Sequence, residues 1–282
     1  MSDLSLNPLV LEPIVKTALL EDLGHRGDIT SESIIPASKK AKAVMRARKG
    51  GIISGLDAAQ LSFSLIDPSL KITPVTEGTS VEAGQIVLTI EGSARSILMA
   101  ERVALNIVQR MSGIATMTHS MTQSVKGTKA RICCTRKTTP GLRVLEKRAV
   151  RAGGGVNHRF GLDDGVLIKD NHIAIAGTIR DAVERVRRRA GHMIRIEVEV
   201  DTLDQLKDVL PLNVDAVLLD NMDVASLEKA VQTVNGKCLT EASGNINAKT
   251  VRSVAETGVD LISIGALTHS PQALDIGLDI DV

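Results

Sequence analysis

CTRKTTPGLR occupies residues 134–143, and VLIKDNH occupies residues 166–172. In both segments cations follow directly after a short apolar run, Arg136 and Lys137 in the first and Lys169 in the second. A basic surface helix would instead place its cations at helical intervals. Because ligands bind at the carboxyl ends of strands in α/β folds, this pattern indicates a pocket for an anionic substrate. A solvated basic surface is the alternative that these residues alone leave open.

The segment between these two motifs is also rich in cations and in glycine. Gly153, Gly154 and Gly155 provide backbone that can approach a ligand closely. The remaining cations of the region are Arg143, Lys147, Arg148, Arg151, His158 and Arg159. A substrate with several negative charges is therefore expected.

The composition of the whole chain excludes some classes of partner. The 282 residues carry a formal net charge of +1, so the basic cluster is local and is offset elsewhere. The chain has no Trp, no Tyr and 2 Phe. Nonspecific nucleic-acid binding needs a broad positive surface, and binding to single strands needs aromatic side chains for stacking. We therefore expect no nucleic-acid partner.

The cysteines and the hydropathy of the chain bear on its location. Cys133, Cys134 and Cys238 show neither metal-ligand spacing nor a disulfide framework. The first residues lack a basic segment followed by an apolar core, and no apolar run approaches the length of a membrane span. We expect a cytoplasmic protein without a membrane partner.

The first part of the chain shows mixed helical and strand periodicity, which suggests a small α+β layer. The predicted elements are helices at 12–22, 57–66 and 94–111 and strands at 42–48 and within 71–91. Pro13 is expected in the first turn of the first helix, and Gly113 is expected to end the third.

From residue 130 onward, apolar strand-like runs recur, and helical stretches separate most of them. The runs lie at 131–134, 166–169, 194–200, 216–219, 238–240 and 261–264. The last four recur at intervals of about 22 residues, which fits one strand plus one helix of a β/α barrel. Six runs are too few for a closed eight-stranded barrel, so either the barrel is open or another segment completes it.

The residues at the ends of these runs are sorted by chemistry. Cations follow the first two runs, whereas Glu197, Glu199 and Asp220 lie on the next two. Small residues follow the last two, and backbone amides there can cradle a phosphate. The carboxylates could hold Mg²⁺ bridged to phosphate oxygens. The residues alone thus predict Mg²⁺-assisted chemistry on a phosphorylated and carboxylated substrate, without ranking Glu197 against Glu199.

A series of longer motifs runs through nearly the whole chain in order. They are EDLG (21–24), GDIT (27–30), ERVALN (101–106), SGIAT (112–116), TRKTTPGLR (135–143), GGGVNHR (153–159), LIKDNH (167–172), EVEV (197–200), LDN (219–221), EASG (241–244) and GALTHS (265–270). In these motifs the chain resembles the quinolinate phosphoribosyltransferases, the carboxylating nicotinate-nucleotide pyrophosphorylases of NAD biosynthesis.

The resemblance implies a reaction, a fold and an assembly. Quinolinate and phosphoribosyl pyrophosphate would give nicotinate mononucleotide, pyrophosphate and CO₂. The implied fold is an N-terminal α/β sandwich domain, which we place at residues 1–112, followed by an incomplete, open α/β barrel catalytic domain at 113–282. The implied assembly is a homodimer or a hexamer of dimers with shared active sites, in which the arginine matching Arg102 enters the neighbouring subunit's pocket.

The resemblance also implies roles for individual residues. Those that would bind the quinolinate carboxylates are Arg102, Arg136, His158, Arg159 and Lys169. Lys137, Glu199 and Asp220 would handle phosphoribosyl pyrophosphate, with Glu199 and Asp220 as the Mg²⁺ ligands. Together with Lys169 these three form the expected catalytic set. Further expected substrate contacts are Thr135, Ser243, Gly244, Asn245, Gly265, Ala266 and His269, several of them around the 5′-phosphate.

Two positions depart from the family pattern, since Cys134 stands where Asp is usual and Asn245 where a second Gly is usual. Two other functions are also considered. One is a paralogue with a different substrate, such as the one associated with molybdenum transport, and the other is a noncatalytic phosphate-binding barrel that acts as a sensor. Retention of Arg136, His158, Arg159 and Lys169 disfavours both.

Overall fold

The computed structural model describes residues 4–281, which fall into two compact units. The first unit contains the chain up to His119, residues 139–154 and the chain from Ser270 onward. The second contains residues 120–138 and 155–269. The two units follow proximity in space, whereas the boundary expected at residue 112 divides the chain in order, and that boundary stays a prediction.

The first unit is built from helices and an antiparallel sheet, whose elements are numbered here in chain order. Its helices are α1 (Pro8–Leu23), α2 (Ile29–Ile34), α3 (Leu56–Ile66), most of α4 (Ala94–Ser124) and α5 (Arg143–Ala152). Its strands are β1 (Lys40–Ala47), β2 (Gly51–Ile52), β3 (Lys71–Pro74), β4 (Ser80–Val81), β5 (Ile86–Ser93) and β12 (Ile276–Asp281). The main sheet has the order β12-β1-β5-β3, and β2 pairs with β4.

The core of this unit lies where α3 and α4 cover one face of the main sheet. Alternate residues of β1 are buried, as expected for a strand with one face in the core. Met45 of β1 and Leu88 of β5 belong to the same buried cluster as Phe63 of α3 and Ile97 of α4. The predicted helices and strands of this region are confirmed, except in two details.

Both details concern residue types that usually mark the start or the end of a helix. Pro13 lies inside α1, because Asn7 caps the helix and Pro8 occupies its first turn. Gly113 does not end α4, which continues to Ser124. A Cβ atom at Gly113 would lie 2.1 Å from the carbonyl oxygen of Gln272, so glycine at this position permits close packing against the chain.

The second unit is an open barrel of parallel strands. Its strands are β6 (Arg131–Cys133), β7 (Val166–Ile168), β8 (Ile196–Val200), β9 (Ala216–Asp220), β10 (Leu239–Ser243) and β11 (Leu261–Ser263). Its helices are α6 (Asp170–Ala176), α7 (Ile179–Arg189), α8 (Leu203–Val209), α9 (Val224–Val234), α10 (Val251–Glu256) and α11 (Ala266–His269), and a 3₁₀ turn at Leu210–Leu212 follows α8.

All six predicted runs are strands of one parallel sheet, in the order β6-β11-β10-β9-β8-β7. Within the described part of the chain, β6 has only one bridge on its other side, between Cys133 and Val156. The sheet does not close there, and the expectation of an open α/β barrel is confirmed. Because the strands are parallel, their carboxyl ends lie at one end of the barrel.

Candidate functional site

A cavity of about 460 Å³ opens at the carboxyl ends of the barrel strands, and it is called the substrate cavity below. Its lining residues are Thr135, Arg136, Lys137, His158, Arg159, Leu162, Leu167, Lys169, His172, Glu199, Leu218, Asp220, Glu241, Ser243 and Ser263. The structure thus brings together nine of the residues expected to bind substrate, and they come from most of the barrel strands.

The other expected residues do not line this cavity. Gly244, Asn245, Gly265, Ala266 and His269 lie in the segments that follow β10 and β11. Arg102 lies on α4 in the first unit, and its side chain is exposed.

Four cations of residues 134–172 do not line the substrate cavity. Arg143, Lys147, Arg148 and Arg151 lie on α5 in the first unit, and Lys147 and Arg148 are buried. Arg148 forms an ion pair with Asp57 of the same unit. Spacing along the chain does not separate these four cations from those of the cavity, because it cannot show that α5 packs in the first unit.

The two arginines of the substrate cavity are close enough to affect each other. Burial lowers the pKa of the Arg159 guanidinium, and the positive charge of Arg136 lowers it further. Arg159 donates from Nη1 to the carbonyl oxygen of Gly165 at 2.8 Å, which holds its side chain in place. Two neighbouring guanidinium groups that are short of negative charge form a site for a ligand with more than one carboxylate.

The two lysines of the cavity are positioned by the strand ends. Lys137 follows β6, and its carbonyl oxygen accepts a hydrogen bond from Thr268 Oγ1 at 2.7 Å. Lys169 follows β7, and its ammonium group pairs with the Glu199 carboxylate. Its backbone N–H donates to His172 Nδ1 at 2.9 Å, which fixes the start of α6. Both lysine side chains are exposed and therefore available to a ligand.

Glu199 and Asp220 supply carboxylate oxygens to the same cavity. The Glu199 side chain is 10% exposed. Asp220 Oδ2 accepts a hydrogen bond from Asn221 Nδ2 at 2.6 Å, which orients this carboxylate. Oxygen ligands of this type suit Mg²⁺, and the donor set therefore fits the expected ion.

The turn after β10 brings backbone close to neighbouring side chains. Gly244 has φ 99°, and a Cβ atom there would lie 2.2 Å from Asn221 Oδ1, so both the conformation and the space require glycine. Asn245 has φ 53°, a left-handed conformation that Asn adopts more readily than other side-chain-bearing residues. Replacing the usual glycine by Asn245 is therefore compatible with this turn.

Cys134, the other departure from the family pattern, is buried at the end of β6. Its backbone N–H donates to the carbonyl oxygen of Val156 at 3.1 Å. Its thiol donates to Asn157 Oδ1 at 3.3 Å. Cys134 thereby fixes the segment that leads into His158.

His158 is held through both nitrogens of its ring. Nδ1 accepts a hydrogen bond from the backbone N–H of Arg159 at 2.7 Å, so the ring proton is on Nε2. Nε2 donates to Glu197 Oε2 at 2.9 Å. In this structure His158 therefore orients the chain beside Arg159, and its expected contact with a substrate carboxylate stays a prediction.

Glu241 completes a buried cluster with His158 and Glu197 and was not among the expected site residues. It is 2% exposed, and its Oε1 lies 3.7 Å from His158 Nε2. Burial and the negative charge of Glu197 raise the pKa of Glu241 to about 7. The strand pattern contained a signal for it, since residues 241 and 243 project from the same face of β10. His172 and Ser263 are further cavity residues that were not assigned from the sequence.

The raised pKa of Glu241 predicts how the stability of the protein depends on pH. The unfolded carboxyl ionises near its ordinary value of 4.5, whereas the folded one keeps its proton up to about pH 7. The folded state therefore binds more protons in this interval, and the free energy of unfolding falls as pH rises through it. Glutamine has the same shape and no charge, so Glu241→Gln should remove a cost of about 3 kcal/mol at high pH.

Denaturant unfolding at a series of pH values measures this effect. The stability of Glu241→Gln relative to the parent protein should rise between about pH 5 and about pH 8 and then level off. Glu228→Gln on the exposed face of α9 is the control and should follow the parent at every pH. A constant difference between Glu241→Gln and the parent would contradict the assignment.

Comparisons with known proteins match this chain over nearly its whole length. The family models described as quinolinate phosphoribosyl transferase, N-terminal domain and C-terminal domain match residues 28–112 and 114–279. The probable nicotinate-nucleotide pyrophosphorylase [carboxylating] of Bacillus subtilis is 42% identical over 98% of this chain and 95% of its own length. The chloroplastic relative from Oryza sativa is 44% identical over 96% of this chain and 78% of its own length.

A solved structure shows the same fold. The nicotinate-nucleotide pyrophosphorylase of Ehrlichia chaffeensis matches with a TM-score of 0.92 and 42% identity over 96% of this chain and 98% of its own. Within residues 4–281, no helix combines the length and apolar character needed to cross a membrane.

Proposed function

The chain belongs to the quinolinate phosphoribosyltransferase family, and from this premise we propose how its residues carry out the family's reaction. The enzyme is a pentosyltransferase that converts quinolinate and phosphoribosyl pyrophosphate into nicotinate mononucleotide, pyrophosphate and CO₂ in NAD biosynthesis. The observation that carries the assignment of roles is a single cavity that combines neighbouring arginines, two lysines and two carboxylates.

Quinolinate binds on the side of the cavity formed by the loops after β6 and β7 and by the segment that precedes β7. Arg136 and Arg159 take its two adjacent carboxylates, and Lys169 adds a third positive charge. The lowered pKa of Arg159 supports this assignment, because burial and the positive charge of Arg136 both disfavour its charged form, which a substrate carboxylate would stabilise. Thr135 contributes a hydroxyl group next to Arg136, and His158 contacts the same end of the substrate.

Phosphoribosyl pyrophosphate binds on the side formed by the loops after β8 to β11. Lys137 contacts the pyrophosphate, and the backbone and side chains around the 5′-phosphate are those of Ser243, Gly244, Asn245, Gly265, Ala266 and His269. A Cβ atom at Gly265 would lie 2.9 Å from Lys137 Cδ, which supports the placement of this glycine next to the lysine. Glycine there leaves room for both the lysine and a phosphate oxygen.

Glu199 and Asp220 hold Mg²⁺ in the working enzyme. The support is their carboxylate chemistry and their common position on the cavity wall. When bound, the ion offsets the negative charge that develops on the departing pyrophosphate. Glu199 also pairs with Lys169. This carboxylate therefore lies between the quinolinate side and the phosphoribosyl pyrophosphate side of the cavity.

The protein's own groups then act on an ordered pair of substrates. The cations on the carboxylates aim the pyridine nitrogen at C1′ of the ribose, while Lys137 stabilises the leaving pyrophosphate. Bond formation leaves a positive charge on the ring nitrogen. That charge stabilises the electron pair that remains on the ring carbon when the adjacent carboxylate departs as CO₂.

The direct test is incubation of the protein with quinolinate, phosphoribosyl pyrophosphate and Mg²⁺. Nicotinate mononucleotide, pyrophosphate and CO₂ should appear in equal amounts, and removal of the metal with a chelator should abolish their formation. Absence of all three products with active substrates would reject the function. A paralogue with another substrate would release pyrophosphate only when that other substrate is supplied.

We propose that the active sites are shared between the subunits of a homodimer or of a hexamer of dimers. The support is the family resemblance around Arg102 and the exposure of this side chain on α4. In such a dimer Arg102 of one subunit contributes a positive charge to the quinolinate site of the other.

Mixed dimers test this sharing. Arg102→Ala and Lys137→Ala homodimers should each be nearly inactive, because every site has one defect. After random exchange about half of the dimers are mixed, and each mixed dimer has one intact site, so about a quarter of the parent activity should return. If exchange is verified by mass and no activity returns, Arg102 serves its own subunit.

We also propose a cytoplasmic location for the enzyme. The support is that Cys133, Cys134 and Cys238 form no disulfide in the described structure, which agrees with a reducing compartment. Fractionation of the source cells, followed by detection of the protein, tests the proposal.

A further inference from the structure

The barrel contains a second cavity at the opposite end from the substrate cavity. This lower cavity has a volume of about 510 Å³. The first residue of every barrel strand lines it, namely Arg131, Val166, Ile196, Ala216, Leu239 and Leu261. Arg131 and Met193 on its wall are exposed, so solvent reaches this end of the barrel.

Only a thin layer of side chains separates the two cavities. His158, Arg159 and Glu241 line both of them. In closed β/α barrels the interior layers are filled mainly by branched apolar residues. Here the middle of the barrel contains the buried carboxyl groups of Glu197 and Glu241, and such a costly arrangement calls for a function.

Glu241 is in an environment that keeps its proton. Its Oε1 has no hydrogen-bond partner among the residues that the structure describes. His158 Nε2 donates to Glu197, and it lies 3.7 Å from Glu241 Oε1. Burial and the charge of Glu197 raise the pKa of Glu241 by more than His158 and a hydrogen bond from Ser263 lower it. The Ser263 hydroxyl, the Cys134 thiol and the Glu197 carboxylate are the other groups that face it. Burial beside Glu197 raises the pKa of Glu241 to about 7, in agreement with this geometry.

The reaction requires a proton at one particular step. When CO₂ leaves, the bond between the ring carbon and the carboxyl carbon breaks, and its electron pair stays on the ring. A proton must then take the place of the carboxyl group. The other two carboxylates of the cavity are committed elsewhere, Glu199 to Lys169 and Asp220 to Asn221. Glu241 is the carboxyl group on this wall that carries a proton to give.

We propose that Glu241 is the general acid that protonates the ring carbon after decarboxylation. This inference rests on the proposed function of the substrate cavity. Proton transfer leaves Glu241 as a carboxylate next to the ionised Glu197. Repulsion between the two charges favours its return to the acid form, and the proton comes from water that enters through the lower cavity while product still covers the other side.

A single-turnover experiment separates the two halves of the reaction. Excess enzyme is mixed with quinolinate, phosphoribosyl pyrophosphate and Mg²⁺, and pyrophosphate and nicotinate mononucleotide are measured over time. In Glu241→Gln, pyrophosphate release should stay within about threefold of the parent rate, whereas nicotinate mononucleotide formation should slow by about 10²-fold. The dicarboxylated nucleotide should accumulate meanwhile.

Two further variants control for loss of structure. Glu241→Asp keeps an acid but withdraws it by one methylene, and it should form nicotinate mononucleotide faster than Glu241→Gln and more slowly than the parent. Glu228→Gln on the exposed face of α9 should match the parent in both halves. Rescue by aspartate would not be expected if Glu241 only filled space.

Two results would overturn the proposal. Equal slowing of pyrophosphate release and product formation in Glu241→Gln would show that Glu241 only maintains the site. If Glu241→Gln released pyrophosphate and formed nicotinate mononucleotide at the parent rates, the proton would come from another donor. Absence of pyrophosphate release from the parent protein would instead reject the function itself, so the two failures are distinguishable.

Discussion

Replacing either Lys137 or Lys169 by alanine is expected to lower kcat/KM by about 10²-fold or more. Lys137 follows β6 beside Gly265, on the side assigned to pyrophosphate. Lys169 follows β7 and pairs with Glu199, at the junction of the two substrates. The Lys137 ammonium group therefore meets charge that develops as the carbon–oxygen bond to pyrophosphate breaks, and the Lys169 ammonium group helps to hold quinolinate in the orientation of the transition state. Loss of such an interaction affects the transition state more than the bound substrates.

The two variants should differ in which substrate they affect. Lys137→Ala should raise KM mainly for phosphoribosyl pyrophosphate, and Lys169→Ala should raise KM mainly for quinolinate. Lys169→Ala also leaves the Glu199 carboxylate, 10% exposed, without its cation, so Mg²⁺ dependence should change in that variant. Steady-state kinetics with each substrate varied in turn measures these effects.

Lys207→Ala is the matched control for both variants. Lys207 also pairs with a carboxylate, that of Asp204, but its side chain is 67% exposed on α8. Its removal should leave kcat/KM unchanged, because surface ion pairs contribute little. Near-normal kinetics in both Lys137→Ala and Lys169→Ala would show that these lysines belong to a solvated basic surface and do not act in catalysis.

Nicotinate is expected to react at least about 10³-fold more slowly than quinolinate, measured as kcat/KM for pyrophosphate release. Nicotinate lacks the carboxylate next to the ring nitrogen. Arg136 and Arg159 lie close enough for one charge to lower the pKa of the other, and a single carboxylate cannot satisfy both groups. One guanidinium group of this partly buried pair would then remain without a carboxylate partner in the bound complex, which destabilises that complex.

Pyridine-2-carboxylate is the complementary control, since it keeps the carboxylate next to nitrogen and lacks the other. It should also react slowly, because the same cations remain unsatisfied. Slow reaction of both monocarboxylates would show that the pair of charges is selected. Turnover of nicotinate comparable to that of quinolinate would contradict the dicarboxylate site and favour the paralogue alternative.

Local sequence patterns determined the barrel and most of its chemistry. Each of the six apolar runs from β6 to β11 is short and contiguous, so its strand character is visible without knowledge of its neighbours. Parallel strands place their carboxyl ends together, and that single rule gathers Arg136, Lys137, Lys169, Glu199 and Asp220 in one cavity. These assignments needed only the order of residues within each run and the rule for parallel strands, so the sequence was sufficient for them.

The tertiary structure alone decided what depends on distant contacts. β12 pairs with β1 at the opposite end of the chain, and α5 takes four cations of residues 134–172 into the first unit. In the buried cluster, a hydrogen bond joins His158 to Glu197, which lies 39 positions further along the chain. Glu241, on another strand, is the third member. Its protonation follows from burial and from the proximity of like charges. Neither quantity is a property of residue order, because each arises only when separate elements pack around the same point.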